Sequence, residues 1–204
     1  MFINKYNNFV LFSKIENTMT KKSDFTFKLL NVLAWCIFIG LCIKAGAFIF
    51  NTLFVLLYNP AGATKFYQSQ GTDINLASLY NYSQSIFVTV TSLMIIIAIL
   101  KAILFYLIVN LFHKKKLNLS NPFNEFVGGY LFKIAYLAIG IALFCFWGAN
   151  VIFGIEKLKI AIPPIQIFGF NAAVEWLFMG LILLIFAKIF NKGIELQLEN
   201  DLTV

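Results

Sequence analysis

The sequence predicts an all-α integral membrane protein: a four-helix transmembrane bundle with both termini cytoplasmic. Three observations lead there. Four stretches, residues 29–58, 86–112, 130–153 and 168–190, are long apolar runs, and a helix needs only about 20 mostly apolar residues to cross the hydrocarbon core. The chain is 60% hydrophobic and only 12% charged, whereas soluble domains carry about a quarter charged residues. Nearly every charge falls between or beyond the four runs.

Charge placement sets the expected orientation, because cytoplasmic loops carry the excess of Lys and Arg. The net charge of +7 comes from sixteen lysines and no arginine. Lys5, Lys14, Lys21, Lys22, Lys28, Lys114, Lys115, Lys116, Lys188 and Lys192 fall on one side; Lys65, Lys157 and Lys159 fall on the other. The first side is therefore expected to face the cytoplasm. Trp35, Tyr106 and Tyr130 fit an inner aromatic belt, and Tyr58, Tyr80, Tyr82, Trp147 and Trp176 an outer one. The lysines cluster at span ends, not on a water-facing surface, so no direct nucleic-acid binding is expected.

Residues 1–18 read as a mis-annotated or disordered leader, and 19–204 as a single four-span domain. Phe9–Phe12 is too short for the apolar region of a signal peptide, and Met19-Thr-Lys-Lys-Ser-Asp resembles a natural start. Ala45-Gly46-Ala47 lies mid-span and reads as packing, not as a cleavage site.

Between spans one and two, residues 59–85 open with the turn signal Asn-Pro-Ala-Gly. Thr72 or Asp73 is expected to cap a short helix leading into span two. Asn121 and Pro122 suit the N-cap and first helical position of a helix running to Phe153, about 48 Å long. Gly128-Gly129 is expected to kink it at the membrane boundary. Ala138 and Ala142, with Gly140 between them, predict close helix approach. Pro163-Pro164 forbids a continuous helix between spans three and four. Cys36, Cys42 and Cys145 fall inside spans and read as small apolar residues.

Polar groups within the spans are the candidates for a site, since a lysine at the bilayer centre is costly. Gly40, Lys44, Ala47 and Asn51 share one helical stripe, which is expected to face the bundle interior. Lys101 is similarly deep in span two. Glu175 is the carboxylate best placed to neutralise either, with Lys44 the preferred partner. Lys44, Asn51, Lys101 and Glu175 thus form a candidate intramembrane polar cluster, with Asn150 as a further member. Its bland reading is a structural ion pair; its sharper one is a ligand-binding or proton-linked site.

Catalysis has little to draw on, and the chain is not expected to be an enzyme. The spans contain no carboxylate pair, no His-x-x-x-His, no Walker loop and no dinucleotide glycine pattern. His113 stands alone in a lysine run, and one histidine cannot supply both axial ligands of a bis-histidine haem. No cofactor or metal is expected.

After Phe190 the chain becomes acidic. Ile194, Leu198 and Leu202 would share a helical face, while Ile194, Leu196 and Leu198 also suit a strand, and periodicity cannot arbitrate over so short a run. The anionic inner leaflet repels an acidic segment, so this tail needs a basic surface. That surface is either the Lys114–Lys116 loop of its own chain or a partner. The residues placed at such a contact are Lys114, Lys115, Lys116, Glu195, Gln197, Glu199, Asn200 and Asp201.

Gly193-Ile-Glu-Leu-Gln-Leu-Glu-Asn-Asp-Leu-Thr-Val204 resembles the closing signature of a bacterial multi-pass membrane family catalogued as domain of unknown function 2975. Phe38-Ile-Gly-Leu-Cys-Ile-Lys-Ala-Gly46, Leu100-Lys-Ala-Ile-Leu-Phe-Tyr106 and Asn121-Pro-Phe123 are similar to further segments of it, in the same order. The resemblance runs over residues 19–204. It implies four spans in the bacterial cytoplasmic membrane and no assigned activity. It also implies a gene neighbour encoding a small helix-turn-helix regulator of the Cro/CI type. The expected function is therefore a non-enzymatic membrane regulator or anchor that contacts such a regulator through its cytoplasmic loop and acidic tail. The alternative is a small transporter or channel-like homo-oligomer that uses the intramembrane lysines and Glu175.

Overall fold

A computed structural model describes the backbone of residues 2–69, 72–113 and 125–201, and the side chains of residues 25–66, 75–112 and 125–200. Four helices in it are long and apolar enough to cross a membrane: Phe25–Leu57, Gln84–Phe112, Glu125–Lys157 and Ala173–Asn200. They belong to α1 (Phe2–Leu57), α3 (Gln84–His113), α4 (Glu125–Lys157) and α6 (Ala173–Asp201). The chain is an all-α, multi-pass membrane protein. Residues 2–18, expected as a leader, continue α1 as helix.

The helices pack as two pairs, α1 with α3 and α4 with α6, joined through α3 and α4. α4 packs most extensively on α6 and also on α3, whereas α1 packs chiefly on α3. Small residues give α4 its close contacts: Ala138 and Ala142 are buried, as expected, and so is Ala135. Gly140 takes no part, since a Cβ there would meet nothing within 4 Å. The glycines that matter are Gly180, which would press on Ala135 and Ile139, and Gly148, over which the Phe170 ring lies. Gly128 would meet the Asn191 side chain. Its role is thus to admit a neighbouring helix; α4 runs as one unbroken helix through Gly128-Gly129.

These contacts also fix the register of two antiparallel helices. Asn191 lies opposite Gly128, Gly180 opposite Ala135 and Ile139, and Phe170 opposite Gly148. The apolar part of α6, residues 173–190, is about 27 Å long, close to the hydrocarbon thickness of about 30 Å. α4 continues beyond the start of α6, and α6 continues past Gly128 in the other direction. The bundle is staggered, with a different helix set protruding at each end.

At one end the protrusion is built into a small cap. Asn59 accepts a hydrogen bond from the Ala61 N–H at 2.9 Å and so caps a 3-10 turn over Pro60–Lys65. Strands β1 (Tyr67–Ser69) and β2 (Thr72–Ile74) then pair antiparallel, with Tyr67 opposite Ile74. The short helix α2 (Ala77–Tyr82) follows. Thr72 and Asp73 lie in β2 and do not cap that helix; its N-cap is Leu76, and Asn75 just before it accepts from the Ala77 N–H at 2.9 Å. Phe66, Leu76, Leu79 and Phe87 are fully buried beneath the cap. Phe66 and Phe87 meet edge to face at 5.8 Å, and Tyr80 and Phe87 at 5.3 Å, a geometry favoured by the ring quadrupoles.

The link from α4 to α6 also departs from expectation. After Pro163-Pro164 comes a single helical turn, α5 (Ile165–Phe168), closed by Gly169 at φ 75°. That left-handed conformation suits glycine and ends the helix. The fourth span therefore begins at Ala173, not at Phe168. Residues 114–124, which include Lys114, Lys115, Lys116, Asn121 and Pro122, lie outside the described residues.

Candidate functional site

The intramembrane lysines meet, but not in the expected company. Lys44 of α1 and Lys101 of α3 line one cavity of about 100 Å³, together with Leu41, Phe48, Met94, Ile97, Ala98 and the Phe168–Gly169 turn. At roughly 30 Å³ per water, it has room for about three water molecules. Lys101 is half-buried, while Lys44 sits at an exposed rim. Apart from the two ammonium groups, the walls are hydrocarbon, aromatic ring and backbone.

Each ammonium has an aromatic neighbour. Lys101 Nζ lies 5.3 Å from the Trp176 ring centroid, and Lys44 Nζ lies 5.6 Å from that of Phe48. Both are within the range of cation–π attraction. Below the turn, the Cys145 thiol donates to the Gly169 carbonyl at 3.7 Å, holding the backbone of the cavity wall against α4.

The expected neutralising carboxylate is elsewhere. Glu175 is exposed, although its neighbour Trp176 turns inward over Lys101. Among the described residues the ion pair is Lys192–Glu195, at 2.7 Å on the surface of α6, and neither Lys44 nor Lys101 pairs with Glu175. Successive helix positions are about 100° apart, so only one of Glu175 and Trp176 can face the bundle. The indole takes that place, over Lys101.

Asn51 and Asn150 also fall away from the lysines. Asn51 lines a separate groove with Asn59, Thr64 and Lys65 under the cap, and Asn150 is exposed. The Gly40–Lys44–Ala47–Asn51 stripe does not face the interior. The buried stripe of α1 is Ala45, Phe48, Thr52 and Val55, one position further on. Thr52 satisfies its hydroxyl by donating to the Phe48 carbonyl at 2.8 Å, which lets a polar residue sit inside.

At the opposite end of α6, Ile194 is buried near Gly128. Beyond it, Glu195, Leu196, Leu198, Glu199 and Asn200 are exposed and Gln197 is half-buried. The helix continues to Asp201, so of the two periodicities the helical one holds. The Asp201 side chain and residues 202–204 are outside the described residues. Among the described residues no three His, Cys, Asp or Glu side chains gather as a metal site would require.

The family profile described as "Protein of unknown function (DUF2975)" matches residues 72–204, that is 133 of 204 positions. The chain belongs to the DUF2975 family. The DUF2975 match begins in β2 and runs through α3, α4 and α6 to the final residue, so it takes in Leu100–Tyr106, Asn121–Phe123 and the closing tail. The similar segment Phe38–Gly46 of α1 lies outside it. Within the DUF2975 match fall Lys101, Trp176 and the Phe168–Gly169 turn; Lys44 falls outside. No curated protein and no solved structure matches the chain.

Proposed function

We propose that this DUF2975 protein is a non-enzymatic regulator or anchor in the bacterial cytoplasmic membrane. Its tail-bearing end holds a small, basic-faced DNA-binding protein. The observation that carries this reading is the projecting end of α6. Past Ile194 the helix leaves its packing on α4 and exposes Glu195 and Glu199 beside Leu196 and Leu198. Helix–turn–helix regulators need a basic face for DNA. An acidic helix with apolar side chains offers that face charge complementarity together with surface to bury. The tail would then compete with DNA for the same residues. The gene neighbour implied by the family resemblance is a protein of this kind.

Removing residues 195–204 tests the idea without disturbing Ile194. Expected is loss of co-purification of the neighbouring regulator, with insertion and detergent behaviour of the truncated chain unchanged. Undiminished recovery of the regulator would refute the contact. Localisation is tested separately: a cytoplasm-active reporter joined after Val204 should be active, and a periplasm-active one silent.

The transporter reading fares less well. A solute path needs a coupled or selective polar lining, and Glu175 forms no ion pair with Lys44 or Lys101. The cavity that the two lysines share has room for only about three waters.

A further inference from the structure

We infer that the cavity between α1, α3 and the Phe168–Gly169 turn binds a phosphate-type anion, held between the ammonium groups of Lys44 and Lys101.

The argument begins with charge. Two lysines from different helices converge on one apolar-walled cavity, and among the described residues neither makes an ion pair with a carboxylate. Like charges brought together in a medium of low dielectric repel strongly, and each ammonium loses hydration there. A pair so placed calls for a counter-ion from outside the chain. Aromatic rings already occupy one side of each ammonium, at 5.3 Å for Lys101 and 5.6 Å for Lys44. The remaining N–H donors are left for a ligand in the cavity. Lysine holds phosphate as a compact point charge without imposing a planar fork, which suits a tetrahedral anion.

Depth and access narrow the source. The cavity is walled by Phe168 and Gly169, and Lys101 Nζ lies over Trp176, all within a few residues of Ala173, where α6 begins. The cavity thus lies level with the first turn of α6, the end of that helix nearer the cap. Trp147, exposed on the same stretch of α4 as Gly148, fits an interfacial position. Lys44 is exposed at the rim, so a lipid can reach the site from that side. Basic pockets between membrane helices take anionic headgroups in this way. A lipid phosphate and free inorganic phosphate offer the same chemistry.

The test uses the full chain. Native mass spectrometry from mild detergent compares phosphatidylglycerol with phosphatidylcholine, and thermal unfolding of lipid-depleted protein is followed with added inorganic phosphate. Phosphatidylglycerol should bind at least tenfold more tightly than phosphatidylcholine. That preference should vanish in the Lys44→Gln/Lys101→Gln chain and persist in Lys65→Gln, whose lysine lines the separate groove. Stabilisation by inorganic phosphate without lipid preference, again lost in the double variant, would support the site with a free anion as its source. Equal binding of both lipids together with no phosphate effect would overturn the proposal, as would effects unchanged in the double variant. Should that variant fail to fold, acetylation footprinting of the native chain decides. Lys44 and Lys101 must be protected by phosphatidylglycerol or phosphate and not by phosphatidylcholine; absence of protection by either overturns the site.

Discussion

Gly180 of α6 rests on the backbone of α4: a Cβ there would stand 3.1 Å from the Ile139 amide nitrogen and 3.2 Å from the Ala135 carbonyl oxygen. Membrane helices lack a hydrophobic drive to associate and depend on this kind of close fit.

Gly180→Ala should therefore destabilise the bundle by about 1–3 kcal/mol, the usual cost of overpacking, because backbone cannot move aside as a side chain can. Gly140→Ala is the contrasting case. Nothing lies within 4 Å of its Cβ, and the alanine gains up to about 1 kcal/mol of helix propensity. Thermal unfolding in detergent should lower the midpoint for the first and leave the second equal or higher. Equal midpoints for both would refute the α4–α6 register.

The other end of the bundle is clasped by a polar contact. Asn110 Nδ2 donates to the Tyr130 hydroxyl at 2.6 Å, joining α3 to α4. Tyr130→Phe removes the acceptor and leaves a half-buried amide donor, at an expected cost of about 1 kcal/mol. A double-mutant cycle with Asn110→Ala should recover most of that as coupling energy; additivity would show that the clasp carries no weight.

Glu175→Gln should change stability by less than about 0.5 kcal/mol, as expected for a surface position outside any ion pair. Loss of folded protein in that variant would restore the ion-pair reading and contradict the exposure of this carboxylate.

In the cap, Phe66→Ala should cost about 3–5 kcal/mol. The ring is fully buried and faces both Phe48, at 6.4 Å, and Phe87, at 5.8 Å. Protease accessibility of residues 67–82 in reconstituted vesicles should rise sharply, while the spans remain protected. Unaltered cleavage would mean the cap is held by other means.

Four spans, the break at Pro163-Pro164 and the small-residue face of Ala138 and Ala142 were legible because each depends on composition or local geometry. The hairpin was not, since three-residue strands are too short for alternation to register. Phe168 reads as part of a span by hydropathy; only the left-handed Gly169 ends it there. The polar stripe of α1 misled for a physical reason. In lipid an apolar side chain is equally at home inside or outside the bundle, so polarity does not mark the inward face. Phe48 and Val55 face in, while Gly40 and Lys44 lie at the flank. Whether Lys44 meets Lys101 or Glu175 depends on how separate helices align along their axes, which no local pattern encodes.

Lys44 rides on α1, which packs chiefly on α3, the helix that carries Lys101. The gap between two positive charges is thus governed chiefly by the α1–α3 seam. Whatever tilts α1, such as a thicker bilayer or a tug on its long amino-terminal extension, also changes how strongly those charges repel. The first helix acts as a lever whose short arm ends in an electrostatic spring.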